Sequence, residues 1–116
     1  MKGPIYSKSF NFALRIVRLS KFLQTTKKEF VLSKQVLRSG TAIGALVREA
    51  EHAESKADFI HKMAIALKEA NETLYWLELL HQAQFIKTSD FQSIHHDSEE
   101  LLKLLIAIVK TSKNKG

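Results

Sequence analysis

The run from Ser55 to Ala83 contains neither Gly nor Pro and carries apolar side chains over more than half of a helical circumference. Ile60, Met63, Leu67, Ala70, Leu74 and Leu77 follow at alternating steps of three and four, which puts them on one helical face. Phe59, Ala66, Thr73, Trp76 and Leu80 form a second stripe beside the first. Ser55 with Asp58 three residues on has the spacing of a capping box and marks the start. The result is one helix roughly 40 Å long. Two adjoining stripes exceed what one packed neighbour covers. This helix therefore demands a bundle, and a further contact beyond the bundle.

The rest of the chain supplies the partners. With 116 residues it is long enough for one core, read as one domain over 1–116 with loose ends at about 1–6 and 111–116. Four Gly, one Pro and the lack of β-branched alternation argue against sheet. The absence of Cys excludes disulfides, thiolate metal sites and a Cys nucleophile, and fits a reducing cytoplasm. The N-terminal stretch lacks the apolar core of a signal peptide. No uncharged apolar run is long enough to span a membrane.

In chain order, Ser7 or Ser9 is placed to cap a first helix that runs to about Gln24. Phe10, Ala13, Leu14 and Val17 form one stripe on it, and Phe12, Ile16, Leu19 and Leu23 another. A connection over 25–33 holds a capping box, Thr26 with Glu29, and Ser33 is a second candidate start. The second helix is expected from there to Ala53, with a seam of Val36, Gly40, Ile43, Val47 and Ala50. Gly40 and Gly44 each cost a helix interior roughly 1 kcal/mol against Ala, which signals close approach of a neighbour. The reversal between His52 and Lys56 is tight, so the second and third helices are antiparallel neighbours. After a turn at 85–88, Ser89 with Gln92 offers another capping box. A fourth helix then presents Phe91, Ile94, Leu101, Leu105 and Ile108, flanked by Leu102, Ile106 and Val109, and ends near Lys110. The fold class is all-α, an antiparallel up-down-up-down four-helix bundle.

Charge is distributed unevenly. Residues 1–48 hold ten Lys/Arg and one acid, Glu29. Residues 49–100 hold four Lys and eleven acids, and residues 101–116 hold four Lys. The basic and acidic blocks attract each other, within a subunit or between subunits, and surplus basic charge on one face favours a polyanion.

No catalytic constellation emerges. Glu49-His52 and Glu78-His81 have the spacing of di-iron bundle ligands, but the first helix contributes no acid, so one required Glu is missing. His95 and His96 are adjacent and point to different sides of a helix. His61 is expected on the surface. Ordinary helix surface explains these residues better, so the reading is no enzyme, no metal and no cofactor. Glu69 sits near the broad apolar stripe and is expected to pair with Arg38 across the second and third helices.

The chain resembles a known family. The residues concerned are Gln35, Arg38, Ser39, Ile43, Gly44 and Ala45, then Glu49 and Ala50, then Ser55, Asp58 and Phe59. The run Lys68, Glu69, Ala70, Glu72, Thr73, Tyr75, Trp76 and Leu77 completes them. Over about residues 9–107 these are similar to the bacterial four helix bundle proteins, also called the 23S rRNA intervening-sequence protein family. Leu46, Arg48 and Ala50 stand where that family usually has Asn, Ala and Gly. The resemblance implies a cytoplasmic homo-oligomer, commonly a pentamer. A related protein, the accessory variability determinant of diversity-generating retroelements, is a basic pentamer associated with nucleic acid and reverse transcriptase.

The leading expectation is a non-enzymatic bundle that binds RNA or DNA phosphates through Arg15, Arg18, Lys21, Lys34 and Arg38. Phe and Trp fall on packing faces in this reading, which disfavours single-strand recognition by base stacking. The runner-up is a protein-interaction scaffold in which the basic first half docks on the acidic second half of a neighbour or partner protein.

Overall fold

The computed structural model describes residues 3–114. Four helices occupy them: α1 (Pro4–Thr25), α2 (Leu32–Glu51), α3 (Lys56–Gln82) and α4 (Thr88–Asn114). Each packs on its two neighbours in a ring, antiparallel throughout, and the α1–α4 seam is the loosest. The bundle measures 47 × 20 × 19 Å.

Local sequence decides most helix ends. Ser55 caps α3, its Oγ accepting from the Asp58 N–H at 3.0 Å, while Asp58 accepts from the Glu54 N–H at 3.1 Å. Glu29 caps α2, accepting from Val31 N–H at 3.2 Å and Ser33 N–H at 2.8 Å. Thr26 instead closes α1, and α2 starts at Leu32, one residue before Ser33, which is buried in its first turn. Helix α2 stops at Glu51, two residues short of Ala53.

Three other expected boundaries move outward. Helix α1 starts at Pro4, so residues 4–6 are its first turn and Ser7 and Ser9 lie inside it. Gly3 is the N-cap, and Pro4 sits where its missing N–H leaves no hydrogen bond unmade. Helix α4 begins at Thr88, which puts Ser89 and Gln92 in its body rather than at a cap. It continues past Lys110 to Asn114, because α3 reaches equally far and the last turns still have a partner: Val109 is buried and Ser112 half-buried. The rest of the expected loose ends, residues 1, 2, 115 and 116, lies outside the described residues.

One core runs through the ring. Phe12, Ile16 and Leu23 of α1 meet Val36, Ile43 and Val47 of α2, with Met63, Leu77 and Leu80 from α3 and Leu101 and Leu105 from α4. Each such side chain, fully removed from water, contributes about 1.5–3 kcal/mol. On α3 the buried set is Met63, Ala66, Ala70, Thr73, Leu77 and Leu80. It draws on both expected stripes, so the core face lies between them, and Ile60, Leu67, Leu74 and Trp76 flank it half-buried.

Small residues bring the helices close. A Cβ at Gly40 would lie 2.8 Å from both γ carbons of Ile16, whereas one at Gly44 would meet the Ser9 carbonyl oxygen at 3.4 Å. Two hydrogen bonds between buried groups cross the seams, while the Ser33 and Ser98 hydroxyls are buried without a partner among the described residues. Ser20 Oγ donates to the Ser33 carbonyl at 3.1 Å, and Thr73 Oγ1 lies 2.9 Å from Ser39 Oγ and donates to the Glu69 carbonyl at 2.8 Å.

Candidate nucleic-acid interface

The five basic residues expected to face phosphate separate into two groups. Arg15 turns toward α4, where Nη1 donates to Asp97 Oδ2 at 2.7 Å and Nη2 to Ser93 Oγ at 3.1 Å. Arg38 turns toward α3. Its Nη1 lies 3.2 Å from each Glu69 oxygen, donating to Oε2, and its Nη2 donates to Glu72 Oε2. Glu69, then Glu72, hold the Arg38 guanidinium above its ordinary pKa. The Trp76 indole N–H, donating to Glu72 at 2.9 Å, and then Arg38 hold the Glu72 carboxyl below its ordinary value. Lys8 likewise meets Glu100 at 3.1 Å.

Arg18, Lys21 and Lys34 form the other group, all exposed and without an ion pair among the described residues. The Ser20–Ser33 hydrogen bond sets α1 and α2 in register, so Lys21 and Lys34, one residue beyond each, share one level of the bundle. Lys27 and Lys28 follow in the adjoining loop, Lys28 in the left-handed region at φ 56°. The one acid of that loop, Glu29, is turned onto the α2 amides. This end of the bundle is therefore a concentration of cations.

It also carries exposed aromatic rings, which corrects the expectation that Phe lies on packing faces. Phe22 is 39% exposed and Phe30 51%, and the Lys27 ammonium stands 5.9 Å from the centre of the Phe22 ring. Phe22 belongs to neither stripe of α1, follows Lys21 directly and is followed by two lysines within six residues, which is its signal in the sequence. Clefts open on both sides of it along the loose α1–α4 seam. One, of about 730 Å³, lies against the α3–α4 turn. The other, of about 290 Å³, runs between Arg15, Arg18 and Ile94.

A second surface is apolar. Phe10, Leu14 and Val17, spaced by four and three along α1, are 46, 40 and 47% exposed. The Arg48 guanidinium covers one end of this stripe, 4.9 Å from the Tyr6 ring and 5.1 Å from the Phe10 ring.

The two Glu-x-x-His pairs do not meet. Glu49 bonds Lys62 at 3.0 Å, about 24 Å along α3 from Glu78. His81 stacks on Phe91 with centroids 4.2 Å apart, and His95 stands 3.8 Å from Glu78 and 3.4 Å from Glu99. Among the described residues no three His, Cys, Asp or Glu are placed to hold a metal ion. No helix among them is long and apolar enough to cross a membrane.

The family model described as 23S rRNA-intervening sequence protein matches residues 2–107. The chain belongs to the 23S rRNA-intervening sequence protein family. A crystal structure of a protein of unknown function from the S23 ribosomal protein family of Bacteroides thetaiotaomicron VPI-5482 is 60% identical. The match covers 91% of this chain and 98% of that one, with a TM-score of 0.90. No curated protein matches the chain. The residues that depart from the usual pattern of the 23S rRNA-intervening sequence protein family have structural uses here. Leu46 packs half-buried against the core, Ala50 is buried, and Arg48 lies over the two rings.

Proposed function

We propose that this chain is a non-enzymatic, cytoplasmic, homo-oligomeric bundle that binds RNA or DNA through phosphate contacts at its basic end. The observation that carries this reading is the division of the charges. Lys8, Arg15 and Arg38 meet acids of the same chain, and Arg18, Lys21 and Lys34 stand exposed and have no ion pair among the described residues. Unpaired cations gathered toward one end of the bundle release counterions from a polyanion without first breaking a bond of their own. Such contacts position a nucleic acid and carry no base sequence. The oligomer, a pentamer by family resemblance, is assigned to the Phe10, Leu14 and Val17 stripe, whose exposed apolar area favours burial against a second copy.

Charge reversal tests the reading. Arg18→Glu, Lys21→Glu and Lys34→Glu together should abolish binding to a structured rRNA fragment at physiological salt while the helical circular dichroism is kept. Binding unchanged in that triple variant would remove the assignment.

The scaffold reading, in which the two charge blocks join neighbouring subunits, is disfavoured by the same pairs. The acids Glu69, Glu72, Asp97 and Glu100 are engaged inside the subunit. It predicts an oligomer that dissociates at high salt; apolar assembly through α1 predicts one that does not.

A further inference from the structure

The cleft of about 730 Å³ beside Phe22 has a composition that the phosphate contacts leave unexplained. Its apolar surfaces come from Phe22, Phe85 and Ile86. Lys27 reaches it from the α1 side and Lys87 from the α3–α4 turn. Gln82, Gln84 and Thr88 bring amide and hydroxyl groups, and Asp90 one carboxylate. The wall is held in place, because His81 stacks on Phe91 and its Nε2 is hydrogen-bonded to Thr88 Oγ1 at 3.2 Å.

The backbone of this wall is built at a cost. Gln84 has φ 68°, a left-handed conformation in which a side chain is strained. It closes α3 in a Schellman motif: its N–H donates to the His81 carbonyl at 3.0 Å, and that of Phe85 to the Leu80 carbonyl at 2.9 Å. Glycine usually takes this position. Here a glutamine keeps its amide at the cleft, and strained non-glycine residues concentrate at functional positions.

We propose that this cleft takes an unpaired nucleotide, its base stacked on the Phe22 ring and its flanking phosphates held by Lys27 and Lys87. A flat apolar ring between two cations, with amides within reach of a base edge, fits a nucleobase better than a purely phosphate-bearing duplex. A half-exposed aromatic ring flanked by lysines is the arrangement by which single strands are held without sequence preference. The cleft shares Phe22, Ile86 and Asp90 with its neighbour along α1, so Arg18 lies on the path of the continuing strand. This inference rests on the nucleic-acid reading above and sharpens it, from phosphates in general to single-stranded segments such as loops and bulges.

The test is a fluorescence-anisotropy titration with a short labelled oligoadenylate and a blunt-ended RNA duplex, on wild type, Phe22→Leu, Phe22→Trp and Lys27→Ala/Lys87→Ala. Phe22→Leu keeps the apolar packing and removes the ring. It should weaken oligoadenylate about tenfold and leave the duplex unchanged. Phe22→Trp should bind oligoadenylate at least as well as wild type. The lysine pair should reduce the salt slope for oligoadenylate by about 1.4.

Wild type that binds neither probe would overturn the nucleic-acid reading and the cleft with it. Wild type that binds both, with Phe22→Leu affecting neither or affecting both equally, would overturn the cleft alone. Phe22-dependent binding to phosphatidylserine vesicles without binding to oligoadenylate would assign the surface to a membrane and overturn the proposal.

Discussion

Arg15 Nη1 lies 2.7 Å from Asp97 Oδ2, so a guanidinium that belongs by sequence to a ridge with Arg18 and Lys21 is held against the neighbouring helix α4. The half-exposed pair contributes little to stability, below about 1 kcal/mol. It does lower the cation's availability to another anion. Reversal of Arg18 and Lys21 should therefore weaken RNA binding more than reversal of Arg15 and Arg38. Anisotropy titrations of the two double variants against one rRNA fragment check the order, and the opposite order would contradict the division of charges.

Gly40 and Gly44 look equivalent in sequence and are not. A methyl group at Gly40 meets both γ carbons of Ile16 well inside contact distance, so Gly40→Ala should destabilise by about 1–3 kcal/mol. At Gly44 the contact is an ordinary one, and the gain in helix propensity makes Gly44→Ala neutral to about 1 kcal/mol stabilising. Denaturant melts measure both. In an Ile16→Ala background the Gly40→Ala penalty should shrink, because the two γ carbons are gone and only the β carbon, at 3.2 Å, still crowds the new methyl.

The apolar stripe on α1 gives a separate forecast. Leu14→Asp with Val17→Asp places two carboxylates in the centre of the assigned subunit contact without touching the bundle core. Sedimentation velocity should show monomers with unchanged helicity. An intact oligomer in that variant would move the contact to another face.

Acid stability has a nameable contributor in Glu72. Its folded pKa lies below the ordinary glutamate value of about 4.3. Its stabilising effect is thus complete above that value and is lost as the pH falls through the folded one. Glu72→Gln should flatten this part of the pH–melting-temperature curve. Because Glu72 is about one-third exposed, the difference is below about 1 kcal/mol. Parallel curves for the two proteins through the acid range would show that the network does not couple to folding.

What the sequence made legible was local or periodic. The Ser55 cap, the α2 seam and the helix count follow from spacing alone, and the Arg38–Glu69 pair from two stripes facing each other. Tertiary register was not legible. Nothing in the spacing of Arg15, Arg18 and Lys21 tells which of the three meets an acid sixty or more residues away. The exposure of Phe22 depends on how far α1 stands from α4, a property of the closed ring. The end of α4 is not legible either, because its polar last turns are held by a partner helix rather than by composition.

The central claim, that the unpaired cations at one end of the bundle bind nucleic acid, is met most directly by one titration. Nucleic-acid-free protein is measured against a structured rRNA fragment and a DNA duplex at several salt concentrations. The account predicts affinity that falls steeply with salt yet persists near physiological ionic strength, with RNA preferred. Negligible binding of both at physiological salt would contradict it and assign the charge to contacts with proteins.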